Sequence, residues 1–72
     1  MQYKGYEVEP LALALPSGLY AANLIIENHS SPLGASFRFD ELDYFFEADH
    51  AIAYAWRWAR LWIDQRNKRL TR

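Results

Sequence analysis

The chain has 72 residues, a net charge of −1 and no cysteine, and 51% of its residues are hydrophobic. The absence of cysteine excludes a disulfide scaffold and a cysteine-ligated zinc site, and the hydrophobic content excludes an intrinsically disordered segment. A domain of this size buries only about 60% of the surface that its unfolded chain exposes. Its stability must therefore come from a dense aromatic core or from association with a second subunit.

The N-terminal residues, MQYKGYEVEP, do not have the basic stretch followed by an apolar stretch that marks a secretory signal peptide. The apolar runs LALAL and LIIE are far shorter than the about 20 residues of a membrane-spanning helix. We therefore expect a soluble cytoplasmic protein that does not contact a membrane.

The first predicted element is a strand over about residues 2–10. Apolar and acidic residues alternate in YEVE, residues 6–9, which is typical of a strand with one buried face. Pro10 cannot donate a hydrogen bond to a neighbouring strand, so it either ends this strand or lies at a sheet edge. The following LALAL, residues 11–15, either extends the strand or forms a covering loop. The Pro-Ser-Gly at residues 16–18 predicts a turn.

Two further strands are predicted after this turn. Residues 19–29, LYAANLIIENH, contain few polar positions and form the expected central strand. The SSPLG segment, residues 30–34, predicts a second hairpin turn. Residues 35–46 form the third predicted strand, which the acidic DELD at residues 40–43 interrupts. This third segment is either one strand bent by a bulge or two shorter strands separated by a turn.

The final element is a helix over about residues 47–67, followed by a basic tail at residues 68–72. Five alanines lie between positions 48 and 59, and the segment contains neither glycine nor proline. The sequence thus predicts a single domain, residues 1–72, of the α+β class. Its expected architecture is a three-stranded antiparallel meander with one long C-terminal helix packed on one face.

One face of the predicted helix consists mainly of small residues. Successive residues of a helix lie about 100° apart around its axis. The centre of this face is formed by Ala48, Ile52, Ala55 and Ala59, with Trp56 and Ile63 on one side and Ala51 and Trp62 on the other. Alanines allow the helix axis to approach the sheet closely, while the larger side chains cover its flanks. Trp56 and Trp62 are therefore expected to be core residues.

A second apolar ridge lies beside this face and consists of Tyr54, Trp58 and Leu61, which follow helical spacing. We call these three residues the helix ridge. One small sheet cannot cover both the core face and the helix ridge. The LALAL segment could fold over the ridge, or arginine stems could cover Trp58 at the surface. The preferred interpretation is a homodimer contact, because a tryptophan is a typical interface anchor and two-fold symmetry is the commonest arrangement of small oligomers.

The charged residues are unevenly distributed. Eight of the nine acidic residues lie within residues 1–50, whereas the C-terminal segment is basic. Acidic residues at the start of a helix and basic residues at its end complement the helix dipole, which explains much of this distribution. The alternative is a nucleic-acid contact in which basic side chains bind phosphates and Trp58 or Tyr54 stacks on bases. The candidate residues are Arg57, Arg60, Arg66, Lys68 and Arg69.

Residues that could support catalysis or metal binding are sparse. Asp43, Glu47 and His50 could converge if the acidic loop curls back, but such residues are more often solvated or helix-capping groups. The serines have no neighbouring base in the sequence, and no glycine-rich phosphate loop is present. We therefore expect no enzymatic activity, no metal and no cofactor.

The opening YKGYEVEP, the predicted hairpins and the final FEAxxAIxxA ending in IDQ, residues 46–65, resemble small uncharacterised bacterial β-β-β-α proteins. The resemblance covers most of the chain, and its motifs are packing positions, so it implies a fold and no active site. Such families place an acid-capped turn before the helix, which matches Glu47; the DELDYFF stretch departs from them. A double-stranded-RNA-binding domain shares the element order but begins with an additional helix.

Taken together, these features predict a non-catalytic protein-interaction or regulatory accessory domain that acts as a homodimer. A weak nucleic-acid-binding domain that uses the basic half of the helix is the alternative function.

Overall fold

A computed structural model of the chain describes residues 1–29 and 34–70, with side chains up to residue 67. It shows an α+β fold in which one C-terminal helix packs against an antiparallel sheet, as predicted. The sheet has five strands rather than the expected three. The elements are β1 (Gln2–Tyr3), β2 (Tyr6–Ala14), β3 (Tyr20–Asn28), β4 (Ala35–Phe39), β5 (Tyr44–Phe45) and α1 (Ala48–Leu70).

The predicted strand over residues 2–10 is divided by a tight turn into β1 and β2. Lys4 and Gly5 have φ angles of 50° and 86°, and Tyr3 pairs with Tyr6 across them. Two consecutive residues with positive φ are what a type I′ turn requires, and this turn matches the twist of a hairpin. The chain therefore folds back at once, and β1 covers only the first residues of β2.

The long hairpin of β2 and β3 forms the centre of the sheet. LALAL belongs to it, because β2 extends to Ala14, which pairs with Tyr20. At the turn, Leu15 accepts a hydrogen bond from the Gly18 N–H (3.0 Å) and donates one to the Leu19 carbonyl (2.9 Å). Gly18 has a φ of 93°, the positive value needed by the last residue of a three-residue hairpin loop. The covering-loop interpretation of LALAL is therefore wrong.

The third predicted strand is divided into β4 and β5, which both pair with β3. Between these strands, Ala22 bonds to two residues of the intervening segment: its N–H donates to the Asp43 carbonyl, and its carbonyl accepts from the Leu42 N–H. The acidic segment therefore forms a bulge that keeps β3 hydrogen-bonded. Glu41 has a φ of 53°, and its N–H donates to the Asn23 Oδ1 atom (2.8 Å).

The core lies between α1 and the face of the sheet that carries the apolar residues of β2 and β3. The alanines of the helix allow close approach, as predicted, and all buried residues of this layer are apolar. The buried residues that form the core cluster are Tyr6, Val8, Ala22, Leu24, Ile26, Ala51, Ala55, Ala59 and Ile63. Trp56 and Trp62 are partly buried and pack against this cluster from its two sides.

Ile52 was expected at the centre of the core face, but it is 37% exposed. It precedes Trp56 by one helical turn, so these two residues lie on the same side of the helix. The Trp56 ring contacts Tyr3 of β1, which places this side of the helix above the outer edge of β2. Because β1 ends after two residues, no strand extends beneath Ile52 to cover it.

Candidate interaction surface

The helix ridge is covered in part by aromatic residues of the same chain. The Trp58 ring lies 4.7 Å from the Phe39 ring, centroid to centroid, and the Tyr54 ring lies 5.3 Å from the Phe45 ring. Tyr54 and Trp58 are consequently half-buried, whereas Leu61 is 59% exposed. The cover comes from β4 and β5, the segment whose boundaries the sequence left open.

The predicted nucleic-acid residues lie on different sides of the helix. The Arg60 guanidinium lies over the Trp56 ring (5.4 Å), and the Arg66 guanidinium lies over the Trp62 ring (4.8 Å). Each arginine thus forms a cation–π contact within its own chain. Arg57 is exposed, and the side chains of Lys68 and Arg69 lie outside the described residues.

Asp64 connects the helix to the N-terminal turn. Its carboxylate accepts hydrogen bonds from the Tyr3 hydroxyl (2.9 Å) and from the Lys4 ammonium (2.7 Å). The bonds from Lys4 and Tyr3 lower the pKa of Asp64, and the same contact with Asp64 raises the pKa of Lys4. Sequence spacing gave no signal for this cluster, because its members are about sixty residues apart.

The residues considered for metal binding do not converge. Among the described residues, no three His, Asp or Glu side chains are arranged so that they could hold a metal ion. His50 lies 3.8 Å from the Glu47 carboxylate, one turn away on the same helix, and both side chains are exposed. This arrangement fits solvated groups at the start of a helix.

The second face of the sheet is not covered by the helix. Its half nearest the Gly18 turn is largely apolar. Leu13 of β2 pairs with Ala21 of β3, which pairs with Tyr44 of β5, and Leu11 pairs with Asn23 and lies diagonal to Ile25 of β3. We call Leu11, Leu13, Ile25 and Tyr44 the open-face patch. Leu11, Leu13 and Tyr44 are exposed, with Leu13 at 47%. The other half of this face is polar and carries Glu7, Glu9, Glu27, Ser36 and Arg38.

The outer edge of β2 adjoins this patch. The Leu15 N–H donates to the Leu19 carbonyl across the hairpin. Successive residues of a strand direct their backbone N–H and carbonyl groups to opposite sides, so the odd-numbered residues of β2 are hydrogen-bonded to β3. The even-numbered residues direct their backbone groups outward. Val8 uses these groups to bond with Met1, donating at 2.6 Å and accepting from the Met1 ammonium at 2.8 Å. Within the described residues, the outward groups of Pro10, Ala12 and Ala14 have no partner.

Comparisons with known proteins found no matching family model, curated protein or solved structure. Among the described residues, no helix is both long and apolar enough to span a membrane.

Proposed function

We propose that this protein is a non-catalytic protein-interaction or regulatory accessory domain that acts as a homodimer. The observation that carries the proposal is the open-face patch, in which large apolar side chains of three strands remain in contact with solvent. Contiguous exposed apolar surface marks an interaction site.

The exposure of the polar side chains to solvent also supports a non-catalytic role. No polar or charged residue is buried among the described residues. A general acid or base usually requires a partly buried position that shifts its pKa towards neutrality. The shifted carboxyl groups, Asp64 and Glu7, have lowered pKa values, because each accepts a hydrogen bond from a cationic amine. Lowered carboxyl pKa values fit structural ion pairs better than they fit proton transfer at neutral pH.

Sedimentation equilibrium over a wide concentration range tests the proposal. The expected result is a weight-average mass that approaches twice the 8.5 kDa chain mass as the concentration rises. A mass that remains at one subunit up to millimolar concentration would overturn the homodimer. The resemblance to uncharacterised bacterial domains and the expected cytoplasmic location fit an accessory role of this kind.

The alternative function, nucleic-acid binding, is tested in the same preparation. Fluorescence anisotropy with generic single-stranded and duplex oligonucleotides at low ionic strength should give no binding. Binding that weakens steeply with added salt would indicate phosphate contacts and would favour the alternative. The stacking of Arg60 and Arg66 on their own tryptophans reduces the number of free cations for such contacts.

A further inference from the structure

We infer that the homodimer forms through the outer edge of β2, where residues 10–14 of one copy pair antiparallel with the same residues of a second copy. This inference rests on the proposed homodimer and assigns its contact. It differs from the contact that the sequence predicted, which was the helix ridge. The two copies would then share one continuous sheet.

The first argument is the unsatisfied backbone of this edge. Ala12 and Ala14 each direct an N–H and a carbonyl away from β3, and Pro10 directs a carbonyl. Unpaired groups at a sheet edge are a template for another strand. Pro10 is compatible with this edge, because its missing N–H would point outward and no bond to β3 is lost.

The second argument is that few features of this edge prevent pairing. Natural sheets protect their edges with charged side chains, with proline or with covering segments, and Pro10 is the protective residue that this edge carries. β1 covers the edge only as far as Val8, and the PLALA sequence of residues 10–14 carries no charge. On the opposite edge, formed by β4, Arg38 would lie near its own copy if that strand paired with itself. Self-pairing is thus favoured at β2 and disfavoured at β4.

The third argument is the apolar surface on both sides of the edge. Leu11 and Leu13 lie exposed on the open face, and Ile52 lies exposed above the edge on the helix side. A paired second copy would place its own leucines beside these leucines and its own helix beside Ile52. Ile52, which β1 is too short to cover, would be covered in this arrangement.

A two-fold axis at Ala12 pairs all of the outward groups except the Ala14 carbonyl. In that register the two Ala12 residues exchange N–H to carbonyl bonds, as in a hydrogen-bonded antiparallel pair. The Ala14 N–H of each copy donates to the Pro10 carbonyl of the other copy. Because Pro10 has no N–H, the Ala14 carbonyl opposite it receives no hydrogen bond from the second copy. Leu11 of each copy lies opposite Leu13 of the other.

The decisive experiment compares Ala12→Pro with Ser36→Pro by sedimentation equilibrium. Ala12→Pro removes one outward N–H at the β2 edge, and Ser36→Pro removes one at the β4 edge. Neither substitution removes a hydrogen bond within the sheet. Ala12→Pro is expected to shift the protein to the monomer, and Ser36→Pro is expected to leave the dimer unchanged. A dimer that persists in folded Ala12→Pro overturns the β2 contact but leaves the homodimer standing. A monomeric unsubstituted protein overturns both proposals.

Two further variants cover the case in which Ala12→Pro fails to fold. Leu13→Lys places a charge beside the edge without changing the backbone, and it should abolish the dimer in a protein with unchanged circular dichroism. Ala12→Cys provides a positive test, because paired Ala12 Cα atoms would be about 5.5 Å apart, within the range that a disulfide bridges. Under mild oxidation it should cross-link much faster than Ser36→Cys. Equal cross-linking rates, or a dimer in Leu13→Lys, would contradict the β2 contact.

Discussion

The Phe39 ring of β4 lies 4.7 Å from the Trp58 ring of α1, with an angle of 54° between the two planes. This contact joins the part of the sheet just before the acidic bulge to the side of the helix that sequence spacing placed outside the core. Phe39 also lies 5.6 Å from Trp62, so one phenylalanine contacts both tryptophans. The helix ridge is therefore part of the folded unit as well as a candidate surface.

Replacement of Trp58 by alanine is expected to reduce the free energy of unfolding by about 2–3 kcal/mol. Complete burial of a tryptophan would give about 3–5 kcal/mol, and Trp58 is only half-buried. Urea denaturation followed by circular dichroism measures the effect. Leu61→Ala is the matched control on the same ridge, because Leu61 is exposed and its loss should change stability by less than about 0.5 kcal/mol. A loss of self-association in Leu61→Ala at unchanged stability would instead place the dimer contact on the helix ridge.

Replacement of Asp64 by asparagine is expected to lower stability at neutral pH and to flatten its dependence on acid. The folded-state pKa of Asp64 is lowered by the hydrogen bonds from Lys4 and Tyr3. Its contribution is therefore complete above the unfolded pKa of about 4 and is lost as the pH falls through the lower folded value. Urea denaturation between pH 2 and pH 7 should show the two proteins differing most at pH 7 and converging in acid.

The control for this titration is Glu9→Gln, which removes an exposed carboxylate that forms no bond within the described residues. Glu7 also accepts a hydrogen bond from the N-terminal ammonium, which lowers its pKa. This carboxylate is present in the unsubstituted protein and in Asp64→Asn, so its contribution to the pH dependence of stability remains in both. The acid dependence of Asp64→Asn should thus be reduced but not removed. An unchanged pH profile would show that the Asp64 cluster does not contribute to folding.

Replacement of Gly18 by alanine is expected to destabilise the β2–β3 hairpin by about 1–3 kcal/mol. Apart from Gly18 and its two chain neighbours, no heavy atom lies within 4 Å of the added Cβ, so the effect comes from the φ of 93°, which a residue with a side chain rarely adopts. Thermal denaturation measures it. Ser17→Ala in the same turn should have an effect below about 0.5 kcal/mol. If Gly18→Ala unfolded at the same temperature as the unsubstituted protein, this would contradict a positive φ at position 18.

Replacement of Asn23 by alanine is expected to cost about 1 kcal/mol, because the Glu41 N–H in the bulge loses its acceptor. Glu41 has a positive φ and also accepts a hydrogen bond from the Tyr44 hydroxyl (2.6 Å), so β5 should loosen together with the bulge. Hydrogen exchange of the Ala22 and Leu42 amides reports this opening. Ser36→Ala, on the same face of the sheet, serves as the control and should leave both amides protected.

Much of the architecture could be predicted from local patterns. The alternation in residues 6–9 and the Pro-Ser-Gly turn predicted a hairpin, and the line of alanines predicted a helix that packs closely on a sheet. These features depend on periodicity and on the conformational preferences of single residues, which the sequence displays directly. The Lys4-Gly5 turn was missed, because lysine is an unusual first residue for a turn with two positive φ angles.

The candidate surface required the tertiary structure. The sequence identified Tyr54, Trp58 and Leu61 as apolar helix residues beyond the reach of a narrow sheet, but it could not show that Phe39 and Phe45 contact the first two. Likewise, the composition of LALAL was visible, but its position at an unprotected edge was not.

The sequence by itself determined the order of the main strands and the helix and the apolar face of the helix, because these properties follow from spacing along the chain. Only the tertiary structure decided which apolar residues remain uncovered. Coverage depends on where β1 ends, on the side of the helix that lies over β4 and β5, and on which strand occupies the sheet edge. Those relationships join residues far apart in the chain, and they leave Leu11, Leu13 and Ile52 exposed around the β2 edge.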